Sequence, residues 1–255
     1  MHSIQYHPYT DIAIEGAIEQ NLPVSAYRRR SIEVKEIEID YNLSLRVGKR
    51  SGHYFTLQTT LASTAEGIVA VLSDSLIKLL KELGVEQGKV LVVGLGNDNY
   101  VVDALGAKVI SKLSPDSISK FKLCVLEPSV EGKSGISSFD VVKGVVGTIK
   151  PRLVIAIDTL VTSRLDRLAT CYQLTTAGIS PGGGVGAKLP ALNKSSLGAD
   201  TIAVGVPLIT TLGAICPDIA YSQRSVQVTL KDVDDKVDFC SSIIAKSILR
   251  ALQKS

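Results

Sequence analysis

Tryptophan is absent from this 255-residue chain, methionine occurs once, and cysteine and histidine occur only four and three times. The cysteines form no C-x-x-C pair, and the first three lie in or beside apolar runs. Structural zinc sites and disulfide frameworks both use recurring close cysteine spacings. The sequence therefore predicts buried thiols in a reducing compartment and no bound metal. The four cysteines are Cys124, Cys171, Cys216 and Cys240.

A strong charge of either sign is also missing, because the formal net charge is only +3. No basic field typical of a nucleic-acid-binding domain exists at the level of the whole chain. The longest apolar runs, such as VLVVGL and LVIAI, are strand-sized and far below the roughly 20 residues that cross a bilayer. The first ten residues, MHSIQYHPYT, lack the cationic stretch and apolar run of a secretory signal. We therefore expect a cytoplasmic protein that binds neither nucleic acid nor membrane.

The first half of the chain carries signals for two strands and a helix. Alternating apolar residues at 32–39, with a phase slip at Glu36, and again at 55–57 predict an antiparallel strand pair. A capping-box spacing at 63–66 then begins an amphipathic segment that Gly84 ends.

From there, short runs that are apolar throughout alternate with helical segments at 101–113 and 138–149. Strands that are apolar on both faces are typical of a mostly parallel sheet covered by helices on both sides. Residues 178–190 form a loop rich in glycine and proline, and its length indicates a functional surface loop. The pattern after it predicts an edge strand at 226–230 and a closing helix at 232–253. The predicted fold is an α/β fold with a mostly parallel twisted sheet, helices on both faces and an antiparallel N-terminal strand pair.

Two aspartates occupy positions where such a sheet builds sites. Asp103 follows the strand KVLVVGL and a polar loop, and Asp158 ends the apolar run LVIAID. Ligands bind beyond the carboxyl ends of parallel strands, where loops converge. Two carboxylates that hold a water can activate it and protonate a leaving group, provided that their pKa values differ. The competing interpretation is that both are helix-cap or loop-stabilising residues.

Other sites fit less well. The glycines at 94 and 96 begin a dinucleotide fingerprint, but Asn99 occupies the third glycine position. The loop at 182–188 imitates a phosphate-binding loop, yet Leu189 replaces the magnesium-binding Ser or Thr. A serine triad would need His53, which the pattern places in or beside a strand, and Cys171 has no histidine nearby in sequence.

Several motifs, taken in one order along nearly the whole chain, resemble the germination (spore) protease family. They are residues 10–15 (TDIAIE), 52–57 (GHYFTL), 94–97 (GLGN), 103–106 (DALG), 154–158 (VIAID), 176–179 (TAGI), 181–188 (PGGGVGAK), 202–207 (IAVGVP) and 228–234 (VTLKDVD). The resemblance implies an aspartic-type endopeptidase without cofactor that degrades small acid-soluble spore proteins in the spore core. Its catalytic aspartates occupy the DALG and IAID motifs, which here are Asp103 and Asp158.

The resemblance also implies a zymogen that cuts itself within the TDIAIE segment, between Asp11 and Ile12. Residues 1–11 would then be a propeptide-like segment, and residues 12–255 a single peptidase domain. An acidic residue before the cut needs a cationic partner. We expect Arg164, Arg167 or Lys188 to supply it, beside Gly183 of the glycine loop.

Departures from the family pattern keep two other hypotheses open. Val101 and Val102 replace a Thr-Pro pair, and an insertion expected between Pro207 and Val228 is nearly absent. The resemblance also implies a homo-oligomer. The missing insertion cannot contribute to the interface of such an oligomer. One alternative is a catalytically inactive or regulatory protein of the same fold. The other is a metal-assisted peptidase, because the architecture resembles the hydrogenase maturation proteases.

Overall fold

The computed structural model of the protein describes residues 9–182 and 190–255. The described strands belong to one ten-stranded sheet. They are β1 (Ser25–Arg29), β2 (Ile32–Ile39), β3 (Gly52–Gln58), β4 (Gly88–Gly94), β5 (Ser117–Ile118), β6 (Phe121–Leu126), β7 (Leu153–Val161), β8 (Cys171–Thr175), β9 (Asp200–Thr211) and β10 (Gln227–Val228). The α-helices of the described ranges are α1 (Ala13–Glu19), α2 (Tyr41–Val47), α3 (Ala65–Glu82), α4 (Leu105–Ser111), α5 (Glu131–Ser134), α6 (Ser138–Ile149), α7 (Lys194–Leu197), α8 (Leu212–Ile215) and α9 (Val233–Lys254).

The strand order is β1-β2-β3-β8-β9-β7-β4-β6-β5, with β10 paired to β9. The four central strands β9, β7, β4 and β6 are parallel, and the flanking pairs are antiparallel. The predicted α/β fold and the N-terminal antiparallel pair, β2 with β3, are confirmed. The sheet as a whole is mixed rather than mostly parallel. Only residues 162–170 link β7 to β8, and a parallel return needs a crossover of about a dozen residues or more.

Helices cover both faces of the sheet. The first face carries α3, α4 and α9, which pack their apolar sides against the largest core cluster. The second face is covered at one end by α6 and α7 and at the other by α1 and α2. A gap between these two groups is therefore left on the second face.

The phase slip in β2 has a structural reason. The strand pairs with β3 in continuous register, so no bulge shifts it. Ile32 and Val34 belong to the core of the first face, whereas Ile37 and Ile39 belong to the core under α1 and α2. The apolar side chains of β2 therefore switch from one face of the sheet to the other along the strand, because helices cover its two ends from opposite sides.

Two predicted helices begin and end close to where the pattern placed them, and a third predicted helix is interrupted. The helices α6 and α9 match the segments 138–149 and 232–253. The segment 101–113 instead begins with a 3-10 turn at Val101–Asp103 before α4. The helix α3 is capped by Thr64, whose side chain accepts a hydrogen bond from the Gly67 N–H at 3.1 Å.

Candidate active site

Asp158 lies inside the central strand β7, with strands β4 and β9 on either side. The strand continues to Val161, so Asp158 does not end it as the sequence pattern suggested. Its side chain is only 6% exposed and accepts a hydrogen bond from the Thr159 N–H at 2.9 Å. Side chains alternate along a strand, so Asp158 shares the second face with Val154 and Ala156.

The environment of Asp158 favours its neutral form. Burial raises the pKa of this carboxyl well above its ordinary value. The negative charges of Asp103 and Asp11 raise it further, and the Thr159 N–H opposes them. A raised pKa favours the protonated form, which is the form that a general acid requires.

Asp103 lies in the 3-10 turn that precedes α4, and a hydrogen bond fixes its carboxylate. The Asn97 N–H donates to Asp103 Oδ2 at 2.8 Å. The loop can approach this closely because Gly96 has a φ of +103° and no side chain, since a Cβ there would lie 2.0 Å from the Asp103 carbonyl oxygen. Burial raises the pKa of Asp103, and the bond from Asn97 opposes that rise.

One hydrogen bond joins the two aspartate-bearing segments. Thr159 Oγ1 donates to the Val102 carbonyl oxygen at 2.9 Å. The turn that carries Asp103 is thereby held against the residue that follows Asp158, and the negative charge of Asp103 contributes to the raised pKa of Asp158. The structure thus places the segments that carry the two candidate aspartates side by side.

A cleft of about 440 Å³ opens on the second face, in the gap between the two helix groups. The sheet contributes Asp158, Gln173 and Gly205 to its lining. Asp11, before α1, and Lys49, after α2, line it as well. Asp103 lies outside this lining, and the turn that carries it contacts β7 through the hydrogen bond between Thr159 and Val102. The cleft is large enough for a short stretch of peptide and contains charges of both signs.

The N-terminal segment occupies part of this cleft. The Asp11 N–H donates to the Val161 carbonyl oxygen at 2.8 Å, and the Val161 N–H donates to Asp11 Oδ2 at 2.8 Å. The Tyr9 hydroxyl donates to Asp11 Oδ1 at 2.6 Å, and Ile12 is completely buried. The peptide bond between Asp11 and Ile12 therefore lies at the same cleft as Asp158.

Glu15, four residues after Asp11, anchors this segment in the protein. Its carboxylate accepts hydrogen bonds from Thr162 Oγ1 at 2.5 Å, the Ser163 N–H at 2.9 Å and the Arg167 guanidinium at 2.8 Å. Burial acts to raise its pKa, but the hydrogen bonds, those of Ser163 and Thr162 first, outweigh it and hold the pKa below the ordinary value. Both side chains of the Glu15–Arg167 pair are buried.

Two of the three predicted substrate-binding cations do not line the cleft. Arg167 is committed to Glu15, and Arg164 forms an exposed pair with Asp166. Gly183 and Lys188 lie outside the described residues.

Two cations that the sequence pattern did not single out, Lys49 and Arg50, line the cleft. Lys49 Nζ donates to the Thr10 carbonyl oxygen, and Arg50 contacts Ser180. Burial lowers the pKa of Lys49, and the charges of Asp11 and Glu15 counter that shift. The available signal was the Lys-Arg pair one residue before the GHYFTL motif, which lies far in sequence from both aspartates.

The competing nucleophiles do not reach this cleft. Cys171 is completely buried, and burial raises the pKa of its thiol to about 12. His53 Nδ1 lies 2.7 Å from Glu82 Oε2, away from the residues that line the cleft. Among the described residues, no group of three or more His, Cys, Asp or Glu side chains is arranged to hold a metal ion. None of the helices in the described ranges combines the length and apolarity needed to cross a membrane.

Comparison with known proteins gives consistent matches. A family model described as germination protease matches residues 14–235. The germination protease of Clostridium acetobutylicum is 33% identical over 236 residues, which cover 82% of this chain and 72% of that protein. The germination protease of Bacillus subtilis is 30% identical over 258 residues, which cover 89% of this chain and 70% of that protein. The germination protease of Bacillus cereus is 35% identical over 225 residues, which cover 80% of this chain and 59% of that protein.

The matched part spans 59% of the Bacillus cereus germination protease and 77% of the germination protease of Clostridium tetani. Among solved structures, the [NiFe] hydrogenase maturation protease HycI from Thermococcus kodakarensis is 16% identical. Its alignment covers 69% of this chain and 99% of that one, with a TM-score of 0.40.

Proposed function

The chain belongs to the germination protease family, and we propose that it is an endopeptidase in which Asp103 and Asp158 act on one water molecule. The observation that supports this most is the position of the peptide bond after Asp11. That bond, the expected self-cleavage site, lies at the cleft lined by Asp158.

The different surroundings of the two carboxyl groups suggest their roles. Asp158 is almost fully buried and keeps its proton to a higher pH, whereas Asp103 is half-buried and accepts an N–H bond that favours its ionised form. We assign Asp103 as the base that takes a proton from water and Asp158 as the acid. Water adds to the carbonyl carbon, the C–N bond breaks, and the Asp158 proton goes to the leaving nitrogen. The products are a carboxylate and an amine.

The same cleft supports self-processing. Residues 9–11 lie along the end of β7, while Ile12 and the helix α1 are part of the core. Cleavage after Asp11 would release residues 1–11 as a propeptide and leave residues 12–255 as the peptidase domain.

The expected substrates are small acid-soluble spore proteins in the cytoplasm of the spore core, cut after an acidic residue. The contacts of the Asp11 carboxylate support a way in which such a residue would be held. It accepts a bond from the Val161 N–H, and the cation of Lys49 lies nearby. We therefore propose Lys49 for the role first expected of Arg164 or Arg167, and the role of Lys188 stays a prediction.

The test uses purified wild-type chain and the variants Asp103→Asn and Asp158→Asn. Mass spectrometry follows the appearance of a chain beginning at Ile12, and gel electrophoresis follows cleavage of a purified small acid-soluble spore protein. We expect both variants to lose both activities and to keep the fold by circular dichroism. Asp235→Asn, which removes an exposed carboxylate at the start of α9, is the matched control and should behave as wild type.

Undiminished turnover in both aspartate variants would refute the mechanism. A wild-type chain that neither trims itself nor cuts the substrate would favour the inactive or regulatory alternative. Loss of wild-type activity on chelation would favour the metal-assisted one.

A further inference from the structure

Gln173, a residue that the sequence did not single out, lies beside the expected self-cleavage site. It is on β8, is 6% exposed and pairs in register with Gly205 on β9. Gly205 in turn pairs with Asp158 on β7. Laterally paired residues present their side chains on the same face, and neighbouring strands are about 4.8 Å apart. Gln173 and Asp158 therefore flank the floor of the cleft, separated by one strand that carries no side chain at this point.

The carboxamide of Gln173 contacts the peptide on both sides of the expected cut. Its Nε2 donates to the Asp11 carbonyl oxygen at 3.1 Å, and its Oε1 accepts from the Ala13 N–H at 2.7 Å. The backbone fixes the orientation of the amide, because Ala13 offers a donor and Asp11 an acceptor. The bonded carbonyl is the one that a water would attack.

A purely structural role explains only half of this arrangement. The helix α1 has no side-chain cap of its own at Ile12, so Oε1 of Gln173 caps it through Ala13. Capping requires nothing of the other half of the amide. The Nε2 bond to the Asp11 carbonyl oxygen is the part that a structural role leaves unexplained.

We propose that Gln173 holds the scissile peptide in the cleft and stabilises the negative charge that forms on its carbonyl oxygen. This inference rests on the proposed endopeptidase function. When water adds to the carbonyl carbon, an electron pair moves to the Asp11 oxygen, and the bond from Nε2 becomes a charge-assisted one. A donor already aimed at that oxygen contributes without reorganisation at the moment of reaction. A substrate protein bound in trans would present the same carbonyl and N–H groups to the same amide.

The test measures self-trimming in Gln173→Ala and Gln173→Glu. The first removes the donor and the acceptor, and the second replaces the donor by a carboxylate oxygen that repels the developing charge. Loss of one such donor lowers a turnover rate by about 10²–10³-fold, and we expect both variants to trim that much more slowly. With a spore protein as substrate, the loss should lie mainly in kcat rather than KM. Gln58→Ala is the matched control, since Gln58 lies on the neighbouring strand β3 and does not line the cleft.

A second measurement does not depend on turnover. In an Asp158→Asn background, hydrogen exchange of the Ala13 amide reports whether Gln173 holds the peptide. We expect at least about tenfold faster exchange when Gln173→Ala is added, because that N–H loses its acceptor.

Three outcomes separate the two proposals. Wild-type trimming rates in both Gln173 variants, with Asp158→Asn inactive, would overturn the role of Gln173 and leave the endopeptidase proposal standing. Equal behaviour of wild type and Asp158→Asn would overturn the endopeptidase proposal, and the catalytic part of this one with it. Unchanged exchange at Ala13 would overturn the holding role in either case.

Discussion

Replacing Arg167 by methionine should destabilise the protein far more than replacing its neighbour Arg164 in the same way. The Arg167 guanidinium is paired with Glu15, and the two side chains are 6% and 2% exposed. The Arg164–Asp166 pair is 57% and 61% exposed. Breaking a buried pair costs about 3–5 kcal/mol, whereas an exposed pair contributes about 0–1 kcal/mol.

The structure also predicts which half of the buried pair is costlier to remove. Without Arg167, the Glu15 carboxylate keeps its bonds from Thr162 and Ser163, so we expect the lower end of that range, about 3 kcal/mol. In the described part of the chain, Glu15 is the only hydrogen-bond partner of the Arg167 guanidinium. Glu15→Ala should therefore approach about 5 kcal/mol.

Thermal unfolding at pH 7 measures these differences. For a chain of this size, about 1 kcal/mol shifts Tm by about 2–4 °C. We therefore expect Arg167→Met to melt about 6–12 °C below wild type and Arg164→Met within about 4 °C of it.

The pH dependence gives an independent check on the same pair. The folded-state pKa of Glu15 is lowered, so its contribution is complete above its ordinary value of 4.5 and is lost as pH falls through the folded pKa. The gap between wild type and Arg167→Met should narrow in that acid range. Equal Tm values for the Arg167 and Arg164 variants at pH 7 would refute the reasoning.

Three further predictions follow from the site. Asp158→Asn should raise Tm at pH 7. The raised pKa of Asp158 means that its ionisation opposes folding increasingly as pH rises above 3.8. Thermal scans should show that the gain in Tm vanishes below that pH, and a variant less stable than wild type at pH 7 would contradict the prediction. Gly96→Ala should lower the free energy of unfolding by at least about 2 kcal/mol and stop self-trimming, because a Cβ there meets the Asp103 backbone. Gly144→Ala, in open space on α6, should leave the stability measured by thermal unfolding unchanged. In a mass-spectrometric time course, Lys49→Met should slow trimming about tenfold, and it should slow trimming much less in a chain that carries Asp11→Asn. Equal slowing in both backgrounds would show that Lys49 does not bind the acidic residue.

Local sequence patterns were sufficient for most of the fold. The helices α6 and α9 and the pair β2–β3 follow from periodicity and capping alone, because each buries a face that the period defines. The direction of β8 did not follow, since it depends on where the chain re-enters the sheet. The interruption before α4 was also hidden, because the 3-10 turn is held by contacts with a distant strand through Thr159 and Val102.

The sequence by itself determined the family and singled out two aspartates as catalytic candidates, because the motifs that carry them are contiguous and can be read along the chain. Only the tertiary structure decided what surrounds them. Gln173 and Lys49 are far from Asp158 in sequence and have no motif of their own, and strand pairing and loop packing bring them to the same cleft. The partner of Arg167 was hidden for the same reason, since a buried ion pair between residues 152 positions apart leaves no local pattern.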